Sequence, residues 1–154
     1  RAEDHNGRRN HDEAAFWLRY LEGALPWSPP PVPFVLIGDA NLDAADGEGR
    51  PQALRALLAH PALQDPAPRS TGGALASAAQ GGPNAVQVGD PALDTADWAE
   101  TGDLGNRRVD YVLPSAALTV TAAGVVWPAP GEPLAEAAAA ASRHHLVWVD
   151  ITLP

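Results

Sequence analysis

The chain has 154 residues and a mass of 16.0 kDa, a size that fits one domain burying roughly 70% of the surface its unfolded form exposes. Hydrophobic residues make up 45% and charged residues 19%, and Pro 16 with Gly 14 fall short of the excess that marks disordered chains, so a fold rich in turns is expected. A formal net charge of −9 argues against strong nucleic-acid binding, the absence of Cys excludes disulfides and thiolate chemistry, and no apolar run nears the roughly 20 residues of a membrane span.

Asn10 followed by Glu13 has capping-box spacing, and Phe16/Tyr20 with Trp17/Leu21 repeat at i, i+4, which predicts a helix over 11–22 closed by Gly23. Pro26 and Pro29 to Pro31 lead into Val32 to Ile37, an apolar, β-branched run read as a buried strand with polar residues at its carboxyl end. Pro51 then opens a short amphipathic helix to Leu58 carrying Leu54, Leu57 and Leu58. Residues 66–103 have no periodicity, and Gly72-Gly73 and Gly81-Gly82-Pro83 read as breakers, so a long loop or flap is expected there. Strands follow at 108–113, 118–127 and 146–153, with an Ala-rich stretch at 132–141 that reads as helix or loop. Trp17, Trp127 and Trp148 fall in these elements and are assigned to core packing.

Gly38-Asp39-Ala40-Asn41 stands where a strand runs out, with a carboxylate and an amide projecting nearby; a self-satisfied turn is the better reading of those four residues alone. Asp110 lies within an apolar strand and needs a partner, because burying an unpaired carboxylate is costly. His144 and His145 in Ser142-Arg143-His144-His145 offer imidazoles, while Arg107 and Arg108 offer a purely structural pairing. Asp39, Asn41 and Asp43 open like a calcium loop, yet Ala44 and Arg50 stand where that loop needs Gly and Glu. Asp90, Asp94, Asp97 and Asp103 are read as solvated loop carboxylates, and Trp98 as a small anchor for the loop.

In this order, the strand ending in Gly38 to Asn41, the strand Arg108-Val109-Asp110-Tyr111 and the Ser142 to His145 entry resemble the endonuclease/exonuclease/phosphatase superfamily, the deoxyribonuclease I-like fold. Its members carry G-D-x-N, R-[IV]-D-Y and a terminal S-D-H. The resemblance implies an α/β fold, a four-layer sandwich of two packed, mainly antiparallel sheets flanked by helices. It implies phosphoester hydrolysis by a positioned water with Mg2+ or Mn2+: Asp39 at the metal and the water, Asn41 holding water and phosphate, Asp110 orienting His144, and His144 on a phosphate oxygen. Asn41, Arg143 and His145 are placed at the substrate; Arg143 replaces the family's Asp and suits bidentate phosphate binding.

The family's earlier motifs have no counterpart here, and the chain contains no Met, so residues 1–154 are expected to be a single domain or the C-terminal half of one. A half-domain seeks its N-terminal half or a swapped dimer partner. The chain is read as soluble, a secreted or periplasmic location being compatible, with a phosphoester as substrate. The alternative is a noncatalytic binding module on the same scaffold, its metal site degraded at Arg143.

Overall fold

The computed structural model describes residues 4–98 and 104–153. Strands β1 (Val35–Asp39) and β2 (Asp110–Pro114) pair antiparallel, with Val35 opposite Pro114 and Asp39 opposite Asp110. Side chains alternate across such a ladder, so Leu36, Tyr111 and Leu113 share one face while Ile37, Asp39, Asp110 and Val112 share the other. Helices α1 (His5–Leu21) and α2 (Gln52–Leu58) cover the first face. There Ala14, Leu54, Leu57, Leu63, Tyr111 and Leu113 form the core.

A second antiparallel pair joins β3 (Thr119–Val125) to β4 (Val147–Thr152), with a register shift between Val120 and Ala122. Helix α3 (Thr71–Gln80), two short 3-10 turns (Gly82–Val86 and Pro91–Leu93) and helix α4 (Ala135–Ala141) complete the described elements. The fold is therefore mixed helix and strand with two small antiparallel sheets, in keeping with the expected α/β class.

Several expectations are corrected. Helix α1 begins at His5 rather than His11, and the capping box is not formed: Asn10 lies inside the helix and donates from Nδ2 to the Asn41 carbonyl at 2.7 Å, while Glu13 pairs with Arg9 one turn earlier. Strand β1 is not buried: Val35 is 39% and Ile37 67% exposed, because only its Leu36 face meets the helices and β2 is its sole partner among the described residues. Of the three tryptophans assigned to the core, Trp127 is buried, whereas Trp17 and Trp148 are 40% and 38% exposed.

The described part of that stretch, residues 66–98, is not structureless, since it contains α3 and both 3-10 turns; residues 99–103, Asp103 included, lie outside the described residues. Helix α3 escapes periodicity because its buried face consists of Gly72, Gly73 and Ser77 instead of large apolar residues. The two glycines, read as breakers, sit in its first turn: Ser70 Oγ accepts from the Gly73 amide, and a Cβ on Gly72 would strike the carbonyl oxygen of Trp127. Close approach to the 127–128 backbone requires glycine there.

Candidate functional site

The β1–β2 register brings Asp39, the last residue of β1, directly across from Asp110, the first of β2, on the face away from the helices. Two carboxylates facing each other across a ladder repel unless a cation or proton intervenes. His144 enters the same space. One oxygen or nitrogen from each of Asp39, Asp110 and His144 lies within 4.8 Å of the others.

His144 is held there by the 94–97 segment. Fully buried Ala96 bridges Arg107 on one side and His144 on the other, the His145 amide donates to the Thr95 carbonyl at 2.8 Å, and the Asp97 amide donates to the Arg143 carbonyl at 2.9 Å. His144 Nδ1 consequently lies 3.0 Å from Asp110 Oδ2 and 3.2 Å from Oδ1, which leaves Nε2 as the ring nitrogen Asp110 does not use. The edge of Trp98 meets the His144 ring at 5.3 Å between centroids.

Thr95, which no sequence signal singles out, anchors the arrangement. It is 1% exposed; its hydroxyl donates to Asp110 Oδ2 at 2.8 Å and accepts from the Val109 and Asp110 amides, each at 3.0 Å. Burial pushes the Asp110 carboxyl above the usual carboxylate range against the bonds from Thr95 and His144, and the charge of Asp39 adds to the rise. The structural alternative for Asp110 is not taken: Arg108 forms a two-pronged pair with Asp65 at 2.8 and 2.5 Å and lies over the Tyr111 ring, while Arg107 donates to the Asn106 carbonyl.

At Gly38 to Asn41 the turn satisfies its own backbone. The Asn41 amide donates to Asp39 Oδ1 at 2.6 Å in a tight turn, with φ +45° at Asn41, a conformation Asn tolerates better than most residues. The turn leaves Asp39 and Asn41 exposed at the strand end. Arg143 is exposed next to His144. His145, expected at the substrate, is 7% exposed and stacks on Trp127 with 3.8 Å between ring centroids, so its ring serves packing, and burial lowers its basicity. An open groove of about 460 Å³ runs past Asp110 and His144 between Ile37 and Val112 on one side and Leu146 and Val147 on the other.

The donor set combines two hard carboxylate oxygens with one imidazole, which suits Mg2+ or Mn2+ when the oxygens supply the ligands. No helix among the described residues is long and apolar enough to cross a membrane. A family described as Endonuclease/Exonuclease/phosphatase matches residues 3–144 of the chain. No curated protein and no solved structure matches it.

Proposed function

The chain belongs to the endonuclease/exonuclease/phosphatase family, and from that premise we propose that it is the C-terminal part of a divalent-metal-dependent phosphoester hydrolase, built as part of a four-layer α/β sandwich. The observation that carries the reading is the convergence of Asp39, Asp110 and His144, residues distant in sequence, at one end of β1 and β2. Family members are in general metal-dependent phosphoesterases, and this constellation has the groups such chemistry needs.

In this reading Asp39, with Asp110 beside it, would hold a Mg2+ or Mn2+ ion, which would supply positive charge to offset that of the phosphate. Asp39 also orients or deprotonates the attacking water, and the Asn41 side-chain amide steadies water and phosphate. Nδ1–H of His144 donates to Asp110, and in the imidazolium form Nε2–H also donates, to a nonbridging phosphate oxygen as negative charge builds. Arg143, exposed one residue away, takes a phosphate oxygen through its guanidinium in this reading. His145 has no part, since its ring is committed to Trp127. The apolar faces of Ile37 and Leu146, 67% and 69% exposed, fit a chain that meets its N-terminal half or a second copy there.

The test is hydrolysis of a nitrophenyl phosphodiester and a nitrophenyl monoester by the full-length protein, with and without magnesium or manganese. Turnover dependent on the ion and lost in Asp39→Ala is the expected result. Undiminished turnover in Asp39→Ala refutes the role of that carboxylate, and absence of both turnover and calorimetric metal binding leaves the noncatalytic module as the better reading.

A further inference from the structure

The residue preceding Thr95 is a carboxylate in an unusual setting. Asp94 is 3% exposed, and it faces Asp43 and Asp46 from the loop after β1 and Arg107 from the approach to β2. The three carboxylates are not equally provided with donors. Asp43 accepts from the amides of Ala45, Asp46 and Arg108, and Asp46 from those of Val88 and Gly89. Asp94 is bonded by the Gln87 side-chain amide, which reaches both its oxygens at 3.2 and 3.0 Å and also serves the Asn106 carbonyl. Among the bonds described, Asp94 alone of the three accepts from no backbone amide, so its burial is the least offset.

We propose that Asp94 is a buried proton switch: protonated, it sits as a neutral acid beside Asp43 and Asp46, and ionised, it adds a third negative charge there that loosens the 94–98 segment and with it the hold on Asp110 and His144. Burial is the largest influence on this carboxyl and lifts it to about 7, against the Gln87 amide and Arg107, with Asp43 and Asp46 adding to the rise. The connection to the site is covalent and short. Thr95 is the next residue and bonds Asp110, Asp97 pins the Arg143 carbonyl, and Trp98 packs on His144. The switch concerns how the site is held, and it stands apart from whether that site hydrolyses phosphoesters.

The sign follows from linkage. With the segment closed, Asp94 keeps its proton up to about 7; with the segment open, it titrates near its ordinary 3.8. Opening therefore releases a proton between those values, becomes easier by up to about tenfold for each pH unit, and levels off above the upper one. Amide hydrogen exchange of Thr95, Ala96 and Asp97 in the intact chain, expressed as protection factors from about pH 5 to about pH 9, reads this directly.

Protection in the wild type is expected to fall by up to about tenfold per pH unit and to level near neutrality. In Asp94→Asn the fall should vanish and protection at alkaline pH should exceed that of the wild type. In Gln87→Leu, which removes the amide that favours the charged form, the bend should move to higher pH. A wild-type profile without a bend, the same bend in Asp94→Asn, or an unmoved bend in Gln87→Leu overturns the proposal.

Discussion

Replacing Thr95 with valine keeps the shape of the side chain and deletes its hydroxyl, which tests the anchoring of the site in isolation. The hydroxyl accepts from two amides, Val109 and Asp110, and donates to Asp110 Oδ2, all in a place where Thr95 is 1% exposed. Each buried donor left without an acceptor costs about 1–3 kcal/mol, so two orphaned amides and a deprived carboxylate predict a loss of ~2–5 kcal/mol, a large part of the stability of an ordinary domain. Urea unfolding of Thr95→Val and Thr95→Ser compares the two; serine keeps the hydroxyl and should cost about 1 kcal/mol for its lost methyl group.

The same substitution carries a pH signature. Asp110 has its folded pKa raised above the ordinary 3.8, so its contribution favours the folded state most below that value and is lost as pH rises through the folded pKa. The Thr95 bond opposes that rise, so removing it extends the window of loss to higher pH. Thr95→Val and Thr95→Ser of equal stability, with the same pH dependence, refute the anchoring role.

Asp39→Asn should lower the Asp110 pKa, since the charge of Asp39 helps to raise it, and carboxyl carbon shifts followed by NMR titration will show the direction. Asp65→Ala strips the part-buried Arg108 guanidinium of its partner and should cost up to about 3 kcal/mol by urea unfolding, because the uncompensated charge stays behind. In the wild type burial pushes Asp65 up, but the bonds and charge of Arg108 outweigh it and hold the carboxyl low. The pair therefore stabilises fully above pH 3.8 and is lost as pH falls through the folded pKa, a slope that Asp65→Ala should abolish. Gly72→Ala forces a methyl group onto the Trp127 carbonyl and should destabilise by about 1–3 kcal/mol, whereas Gly38→Ala, with nothing within 4 Å of the added carbon, should leave the melting temperature nearly unchanged.

The elements that carry strong local signals were legible. The leucines of α2 repeat at helical spacing, and Leu54 and Leu57 are buried as that spacing implies; the apolar runs around Val35, Val112 and Val149 became strands. Helix α3 was invisible because its inner face is glycine and serine, which close backbone packing selects and hydrophobic periodicity cannot register. The exposure of β1 was equally hidden: an apolar, β-branched run encodes the wish to be buried, but the number of neighbouring strands and helices decides whether it is. The reading of Asp94 as a solvated loop residue failed for the same reason, since nothing local records that Asp43, Asp46 and Gln87 fold around it.

Sequence alone determined the identities that matter for chemistry: a carboxylate and an amide at the end of one strand, a carboxylate inside another, and paired histidines before the last, in an order that indicated the family. Tertiary structure decided which of them meet. Strand register sets Asp39 against Asp110, a buried threonine and a bridged alanine 94–97 segment deliver His144 and turn His145 into the core, and Arg108 is drawn off to Asp65. These outcomes rest on contacts between residues far apart along the chain, whose energies depend on burial and distance, and no window of local sequence contains either.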